Sequence, residues 1–445
     1  MASDLLSIAS SGAKAARTAL DVTAQNIANA STDGYVKRSV TLEEVSSTSG
    51  IGRTNGVSLS GVRVSGVERN VDLFRQMEVR RTTSDAQRAT TEVDGLENIE
   101  AAIEQSGVFS AIAGFESSLL QLASDPVDNS LRTAFVEDAR TMAQTLNIAS
   151  TSLEAAGEVM RFEANAGVNQ VNVLTGELAR VNLQLTRTKN GSSDQISLLD
   201  ERDLLLQQLS GYANINTTIA SDETVEVRLG GSGGPLLVSG KDSYTLAMDT
   251  ASDGTISFTL DGSAVTFSAG SLIGHSQALE KLADVHDQLD TIAANLISVV
   301  NAAQASGVDL DGNPGQAMFT GTGAANIAIA FSDGSLVATA PAGAAADSRD
   351  DSNLTALRQA LDAADPAGEM DSLIFQISST VASRTITRDA LQSIASSASL
   401  ALQSQAGLDL DQEAVDLIRY QQAFQACGRA MQVATELFDT LVGIG

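Results

Sequence analysis

The two ends of the chain carry the same seven-residue pattern, which constrains the fold more than any other feature of the sequence. Near the start, uncharged residues recur at alternating steps of three and four, at Leu6, Ala9, Ala13, Ala16, Leu20, Thr23, Ile27 and Ala30. Near the end, the same steps connect Leu410, Ala414, Leu417, Gln421, Phe424, Gly428, Met431, Thr435, Phe438 and Val442. Because charged residues fall outside both stripes, each end is predicted to form an amphipathic helix.

Two amphipathic helices at opposite ends of one chain can pair as a coiled coil and leave everything between them as a long insertion. Small residues such as Ala9, Ala13 and Gly428 favour close approach of the two backbones. Thr23 and Gln421 are polar within the stripes, and polar seam positions typically set register or partner choice. Two independent surface helices are the alternative that periodicity leaves open.

The interior is predicted to be helical on both sides of a β-rich segment. Helical patterns cover residues 71–105, 108–124, 130–189, 193–212, 271–305 and 370–405. Between 213 and 271, short segments such as TVEVRLGG and GTISFTLDG are separated by Gly, Asp and Ser, which predicts strands. The Gly/Ala/Asp-rich stretch 306–352 predicts an irregular excursion or a β-hairpin.

These patterns predict a mainly α protein with a small β insertion, elongated and built from nested discontinuous domains. Residues 1–60 with 406–445 are expected to form a terminal coiled-coil domain, and 61–212 with 272–405 a helical-bundle domain. Residues 213–271 are expected to form a small all-β outer domain, from which the 306–352 excursion is separate. Hinges are expected near 35–70 and near Gly407, where the helical pattern breaks.

Composition narrows the classes of function. A formal net charge of −28 disfavours nucleic acid and anionic membranes as partners. Aromatic residues are only 4% of the chain, which is typical of long Ala-rich helices rather than of an enzyme core built on large rings. The single cysteine, Cys427, allows no intramolecular disulfide. No cleavable signal or membrane span is visible, so the chain is expected to stay in the cytoplasm or to be exported with its N-terminus intact.

One acidic loop has part of a calcium-binding pattern. In DLDGNPG, Asp309, Asp311 and Asn313 have the spacing that opens a calcium loop. Pro314 stands where the loop needs its turn glycine, and Thr320 where it needs a bidentate Glu. The segment is therefore predicted to be a structural turn.

Other patterns that could carry chemistry are equally incomplete. His275 and His286 lie about 16 Å apart along a predicted helix, too far to share a metal ion. The GGSGGP stretch at 230–235 opens no helix and reads as a hairpin loop rather than a phosphate cradle. No nucleophile elbow is present for Ser/His/Asp catalysis. No catalytic residue, cofactor or metal ligand is predicted, and the chain is not expected to be an enzyme.

Four stretches of the sequence resemble one family. ALDVTAQNIANASTDGYVKR (19–38) and LDLDQEAVDLIRYQQAFQACGRAMQVATELFDTL (408–441) resemble the N- and C-terminal motifs shared by bacterial flagellar rod, hook and hook-associated proteins. NVDLFRQMEVRRTTSDAQ (70–87) and QISLLDERDLLLQQLSGYANI (195–215) resemble the helical domain of the hook-associated proteins of the first hook–filament junction. The resemblance covers 1–215 and 272–445 and is weak over the β segment.

The resemblance implies a structural axial protein of the flagellum, needed for flagellum assembly and motility, that forms the hook–filament junction. Its implied partners are further copies of itself in a ring or helix, the hook protein, the second junction protein, an export chaperone at the C-terminal helix, and the export apparatus at the N-terminus. Export without a cleaved signal is implied, with both terminal helices largely disordered in isolation. No nucleic acid or membrane partner is implied.

The resemblance also assigns residues to subunit contacts. The expected interface residues are Leu6, Ala13, Leu20, Gln25, Asn26, Ile27, Asn29, Leu417, Gln421, Phe424, Met431 and Phe438. Gly34, Tyr35 and Gly407 are expected to turn the chain from the inner layer to the next. Gln25, Asn26 and Asn29 are expected to hydrogen-bond across subunits, with helix C-capping inside one subunit as the alternative. A hook or distal rod protein is the nearest rival function, and a cytoplasmic helical adaptor a weaker one.

Overall fold

Helices dominate the computed structural model, which describes residues 2–32, 34–47, 58–189 and 191–443. The helices are α1 Ala2–Ala28, α2 Leu73–Ser106, α3 Val108–Ser124, α4 Asn129–Leu185, α5 Ser193–Tyr212, α6 Ser271–Ser306, α7 Ser352–Ala364, α8 Pro366–Ala406 and α9 Leu410–Gly443. These bounds fall close to the predicted ones, except that α7 was not predicted. The predicted class, mainly α with a small β insertion, is confirmed.

The strands are short apart from those of one hairpin. They are β1 Arg38–Ser47, β2 Ser58–Arg69, β3 Ile215–Ile219, β4 Val225–Leu229, β5 Leu236–Ser239, β6 Asp242–Ser243, β7 Leu246–Thr250, β8 Ile256–Leu260, β9 Ser263–Val265, β10 Gly307–Val308, β11 Phe319–Thr320, β12 Ala328–Ile329 and β13 Ala340–Pro341. All the strand pairs named here are antiparallel. The β1–β2 hairpin occupies a stretch that the sequence reading treated only as a hinge.

The chain divides into two compact units whose boundaries differ from the predicted domains. The first unit contains 1–83, 171–245 and 392–445, and the second contains 84–170 and 246–391. The predicted β domain at 213–271 is divided between them, because β3–β6 form a four-stranded sheet in the first unit and β7–β9 a three-stranded sheet in the second. Each sheet is too small to bury a face alone, so each packs on helices of its own unit.

The first unit is built around the paired terminal helices. Helix α1 packs against α9 and also contacts the β1–β2 hairpin. The hairpin approaches α1 closely at Gly61, where an added Cβ would lie within 3.2 Å of the Ile8 Cα. In the same unit Asn182 fixes the β3–β6 sheet, because its amide accepts a hydrogen bond from the Val225 N–H and donates to the carbonyls of Val225 and Gly240.

The second unit has the larger apolar core, supplied by α2, α3, α4, α6, α7 and the first part of α8. The rings of Phe115 and Phe135 stack with centroids 5.0 Å apart, and Phe319 from β11 packs edge-on against Phe115. The 306–352 stretch is thereby tied into the core. Gly157 lies mid-helix because α6 is close: a Cβ there would approach the Leu282 Cδ2 to 2.6 Å.

Candidate assembly site at the paired terminal helices

The terminal helices run antiparallel, as two points of contact establish. Near one end of the pair the Asn26 amide donates to the Glu413 Oε2 at 2.9 Å. Towards the other end, a Cβ added to Gly12 would lie 2.9 Å from the Cys427 Sγ. Because residue numbers rise along α1 while they fall along α9, the helices are antiparallel. The predicted pairing of the chain's ends is therefore present within one chain.

The residues that are buried on α1 and α9 match the predicted stripes only in part. On α1 the buried residues include Ala9, Ala16 and Thr23 of the predicted stripe, and also Ala19 and Asn26 beside it. On α9, Glu413 and Ala434 are buried, whereas the predicted neighbours Ala414 and Thr435 are exposed. Cys427 and the predicted Gly428 are both half-buried, and the predicted Gln421 is exposed. The prediction selected uncharged positions, whereas the pair buries a glutamate that has its own partners.

The expectation that Asn26 hydrogen-bonds across subunits is corrected by the structure. Its Nδ2 donates to the Arg38 carbonyl and to Glu413, both at 2.9 Å, and its Oδ1 accepts from the Tyr35 hydroxyl at 2.8 Å and the Arg38 N–H at 3.1 Å. Two donors and two acceptors exhaust the hydrogen-bonding capacity of an amide. Asn26 therefore joins α1, the following turn and α9 inside one chain, and has no capacity left for a neighbour.

Asn29 forms its hydrogen bonds inside the chain, at the C-terminal end of α1, which was the alternative to a contact across subunits. Its amide donates to the Gln25 carbonyl at 2.9 Å, and its Oδ1 accepts from the Thr32 hydroxyl at 3.3 Å. These bonds lie within the last turn of α1 and the residues that follow it, and the Gln25 carbonyl also accepts from the Asn29 N–H at 3.0 Å. The Gln25 side chain is exposed, so of the three amides it is the one placed to reach another molecule.

Glu413 is buried in the first turn of α9 and is held by two partners. Its Oε1 lies 2.8 Å from the Lys37 Nζ, and its Oε2 accepts from Asn26. A carboxylate in the first helical turn is also favoured by the helix dipole. A buried charge is tolerated only when it is paired and hydrogen-bonded, and Glu413 meets both conditions.

Gly34 and Tyr35 lie in the turn that follows α1. Gly34 has φ 76°, a conformation that a side chain would strain, and a Cβ there would also approach the Leu204 Cβ to 3.1 Å. The Arg38 guanidinium lies 4.8 Å from the centroid of the Tyr35 ring. Burial raises the pKa of the Tyr35 hydroxyl. Asp33, which belongs to the same motif, lies outside the described residues.

Gly34, Tyr35 and Gly407 line one open cavity of about 570 Å³ in the first unit, so the structure brings the three predicted turn residues together. Gly407 lies in the short connection between α8 and α9, and its N–H donates to the Gln403 carbonyl at 2.8 Å. Whether these turns separate layers of an assembly stays a prediction.

The remaining predicted interface residues divide by exposure. Leu6, Gln421, Phe424 and Phe438 are exposed, and Leu20, Ile27, Leu417 and Met431 are partly covered, while Ala13 is buried. The side chain of Val442, the last stripe position, lies outside the described residues.

A set of four large exposed apolar residues on α9, called here the apolar ridge, was not predicted from the sequence. Val415, Ile418, Val433 and Leu437 are between 48% and 59% exposed. All four lie off the predicted stripe. They form two pairs, Val415 with Ile418 and Val433 with Leu437, and the pairs share no single three-and-four pattern, so a periodicity test does not detect them.

A buried charge network also escaped the sequence reading. Arg38 and Arg69 from the β1–β2 hairpin reach Asp200 on α5 at 2.9 and 2.8 Å, and Arg69 and Arg202 pair with Asp203 at 2.8 Å each. Burial raises the pKa of Asp200 more than its arginines lower it. Burial also raises the pKa of Asp203, but Arg202 and Arg69 outweigh it, and the net shift is downward. The network fixes the hairpin to α5.

Outside this region, the loop with calcium-like spacing is a hydrogen-bonded turn. The Asp309 Oδ1 accepts from the N–H groups of Asp311 at 3.0 Å and of Asn313 at 2.8 Å. Its oxygens thus serve the turn itself, as the sequence suggested. Among the described residues, no group of three or more His, Cys, Asp or Glu side chains is placed to hold a metal ion.

One Ser/His/Asp arrangement exists in the second unit. The Ser150 Oγ lies 3.3 Å from the His286 Nε2, and the His286 Nδ1 lies 3.6 Å from the Asp290 Oδ2. Asp290 also accepts from the Ala324 N–H at 2.7 Å. Ser150 is buried within α4, so a substrate cannot reach its hydroxyl. The arrangement ties α4, α6 and the 306–352 stretch together.

No helix in the described ranges is both long and apolar enough to cross a membrane.

Comparison with known proteins identifies the family. Residues 93–319 match the flagellar hook-associated protein FlgK helical domain, which accounts for just over half of the chain. The chain belongs to this family. Residues 6–35 match the flagella basal body rod protein family, and 403–444 match the C-terminal family of the flagellar basal body rod proteins FlgEFG. Because the end motifs are shared with rod proteins, the helical domain is what distinguishes a FlgK-family chain.

Two relatives found by sequence agree with this assignment, and one solved structure is also similar. The chain is 26% identical to flagellar hook-associated protein 1 of Bacillus subtilis, over 97% of this chain and 96% of that protein. It is 26% identical to the protein of the same name from Salmonella typhimurium, over 72% of this chain and 59% of that relative. The flagellar hook junction protein FlgK from Burkholderia pseudomallei is 26% identical, with a TM-score of 0.49 over 55% of this chain and 46% of that one. This FlgK-family chain is a structural axial protein of the flagellum.

Proposed function

We propose that the chain forms the hook–filament junction by packing its paired terminal helices against those of neighbouring copies. The supporting observation is the set of exposed large apolar side chains on that pair, between 39% and 59% exposed: Leu5, Leu6, Ile8, Leu410, Val415, Ile418, Phe424, Val433, Leu437 and Phe438. Apolar surface concentrated on one part of a soluble protein typically marks an interaction site.

The proposed interface keeps part of the predicted residue set and revises the rest. Leu6, Phe424 and Phe438 have the exposure that a subunit contact requires, and the ridge of Val415, Ile418, Val433 and Leu437 is added to them. Asn26 is removed, because its bonds lie inside the chain. Leu20, Ile27, Leu417 and Met431 support the helix pair from within and contribute their uncovered edges.

The proposed partners follow from the same surface. The two faces of a junction layer contact the hook protein on one side and the second junction protein on the other. Before assembly, the apolar residues of α9 would associate with one another, which favours protection by an export chaperone at that helix. Export would use an uncleaved N-terminal signal read by the export apparatus. The chain acts as a structural component and not as an enzyme.

The test begins with deletion of the gene in its own bacterium. We expect electron microscopy to show hooks without filaments, and the medium to contain unassembled flagellin. Absence of hooks would instead indicate a hook or distal rod protein, and a protein retained in the cell with intact filaments would indicate a cytoplasmic adaptor.

Complementation of the deletion then tests the ridge. Val433→Asp places a charge within the proposed contact, where burial of an unpaired carboxylate is strongly unfavourable. We expect this variant to be secreted but to restore no filaments. Gln432→Asp adds the same charge at the adjacent exposed position and is expected to restore filaments. Filament formation by Val433→Asp at the wild-type level would refute a subunit contact at the ridge.

A further inference from the structure

Three polar residues join the two ends of the chain at the start of α9. Asn26 at the end of α1, Lys37 in the turn and Glu413 in α9 are connected through the Glu413 carboxylate, with contacts of 2.8 and 2.9 Å. We propose that this group, called here the terminal lock, fixes the register of α1 against α9, so that the terminal helices can pair in one alignment only. The proposal concerns the single chain and does not depend on the proposed role at the junction.

The geometry of the pair supports a lock on register. Fourteen residues separate Asn26 from Gly12 on α1, and fourteen also separate Glu413 from Cys427 on α9. Both intervals are two full heptads, so the two contacts belong to one continuous antiparallel seam. The lock lies at one end of this seam and the close approach at Gly12 lies two heptads away.

Without the lock, the apolar contacts between α1 and α9 would differ little from one alignment of the helices to another. Of the α1 residues at three- and four-residue steps from Gly12 and Asn26, Ala9, Ala16 and Ala19 are buried alanines and Thr23 is a buried threonine. Alanine side chains are short and alike, so a slide of one heptad would replace one alanine contact by another. Apolar burial alone therefore discriminates weakly between registers, whereas a polar seam position is able to specify one.

The lock makes shifted registers costly. A slide of one heptad in one direction would place Glu413 beside Ala19, which has no group to bond its carboxylate. A slide in the other direction would place Asn26 beside Tyr420 and would leave Glu413 beyond the helical part of α1. In both cases a buried polar group loses partners that it has in the observed register, which is strongly unfavourable.

The lock also couples helix pairing to the shape of the turn. The Asn26 Oδ1 accepts from the Tyr35 hydroxyl and the Arg38 N–H, and its Nδ2 donates to the Arg38 carbonyl as well as to Glu413. Asn26 can present its amide to α9 in this way only when the turn and the first residue of β1 are in place. The terminal helices are therefore either paired in the observed register with the turn formed, or unpaired.

The chain's single cysteine provides the test. In a disulfide, the Sγ of one cysteine lies about 3 Å from the Cβ of the other, and the Gly12 position lies 2.9 Å from the Cys427 Sγ. Gly12→Cys therefore reports the observed register in the full chain. Leu5→Cys and Ala19→Cys are one heptad, about 10 Å, away along α1 and out of disulfide reach. They report the two shifted registers.

The measurement is the initial rate of disulfide formation with a mild oxidant in the purified full-length protein, followed by gel mobility. With the lock intact, we expect Gly12→Cys to cross-link at least about tenfold faster than either shifted reporter, because a polar seam position specifies one register. With Asn26→Leu and Glu413→Leu combined, the shifted reporters are expected to approach the rate of Gly12→Cys. Gln421→Leu, an exposed substitution on α9, is the matched control and should keep the tenfold preference.

Three results would overturn the proposal. Slow cross-linking of Gly12→Cys with the lock intact would mean that the helices do not pair in this register. An unchanged preference in the double variant would mean that another contact sets the register. Loss of all three cross-links in the double variant, with the helical content of the rest retained, would mean that the lock holds the helices together without selecting their alignment.

Discussion

Replacement of Arg132 by methionine is expected to release the 306–352 stretch from the second unit. The Arg132 side chain is fully buried, with 0% of its surface exposed. Its Nε donates to the Pro126 carbonyl at 2.6 Å, its Nη1 to the carbonyls of Gly334 at 3.1 Å and Val337 at 2.9 Å, and its Nη2 to the Thr339 hydroxyl at 2.6 Å. One guanidinium therefore satisfies polar groups from two separate segments of backbone.

The size of the effect follows from these bonds. Four buried acceptors lose their donor at about 1 kcal/mol each, which gives about 4 kcal/mol. Methionine has a similar length and removes a buried charge, so part of this loss is recovered. That recovery is incomplete, since Asp309 and Asp347 partly offset the burial that lowers the pKa of Arg132. The expected net loss of stability is about 3 kcal/mol.

Hydrogen exchange followed by mass spectrometry distinguishes local release from global unfolding. We expect faster exchange in peptides covering β10–β13 and unchanged exchange in those covering β3–β6, which lie in the other unit. Arg132→Lys should give an intermediate effect, because an ammonium group cannot reach the same spread of acceptors. Arg140→Met removes a partly exposed arginine of the same helix that pairs with Glu137 at 3.3 Å, and should cost less than about 1 kcal/mol. Equal protection of β10–β13 in Arg132→Met and the wild type would refute the reasoning.

Three further predictions concern other buried polar groups. Burial lowers the pKa of His275 to about 4. The neutral imidazole therefore gives its full stabilisation above pH 6.5, and about 3 kcal/mol of stability is lost as the pH falls from 6.5 towards 4. In urea denaturation, His275→Leu should lose less stability than the wild type over this pH range. Asn182→Ala removes three hydrogen bonds and should lower stability by about 3 kcal/mol, whereas Asn169→Ala, at an exposed position of the same helix, should change it by less than about 0.5 kcal/mol in the same assay. Asp309→Ala should lower the melting temperature by removing turn hydrogen bonds, and calcium or a chelator should leave the melting temperature of the wild type unchanged.

The helices were the part of the fold most accessible from sequence. Helix α4 was recognised despite Gly157, because its periodicity continues on both sides of the glycine. The pairing of α1 with α9 was also accessible, since each end carries an apolar stripe that needs a partner. The register of α1 against α9 could not be predicted from the sequence. It depends on Asn26 and Glu413, and a stripe chosen for apolar or uncharged residues does not include polar residues beside it. The contact between Asn26 and Glu413 spans 387 positions of sequence, which no local pattern reports.

The strands show a different limit. The β1–β2 hairpin contains the alternating pair Val62 and Val64, and a register shift separates this pair from Val67. The sequence nevertheless indicated only a hinge there, because the stretch lies between two long helices. The sequence of 213–271 also contains no local signal that its strands belong to two different sheets. The segments around Thr245 have similar composition, and the sheet that each joins is set by the helices against which it packs.

Buried amides recur at the points where a helix holds a segment that is not helical. Asn182 binds Val225 and Gly240, Asn301 binds both the N–H and the carbonyl of Phe319, and Asn353 donates to the carbonyls of Ala303 and Ala338. Short or irregular backbone leaves polar groups that a neighbouring strand cannot satisfy, and burial makes each unpaired group costly. An asparagine has both a donor and an acceptor, so it can serve such a backbone without bringing in a charge.

Asn26 plays the same role where the two ends of the chain meet. It hydrogen-bonds the backbone that follows α1, as the other asparagines bond the irregular segments beside them. Here the amide also reaches a glutamate on α9, so the contact that orders the turn is the one that aligns the terminal helices. In a chain whose terminal helices meet mainly through alanine, apolar packing can bring the ends together but specifies their alignment weakly. The polar residues at the edge of the seam supply that specification, which is why the amide-rich end of α1 lies beside the start of α9.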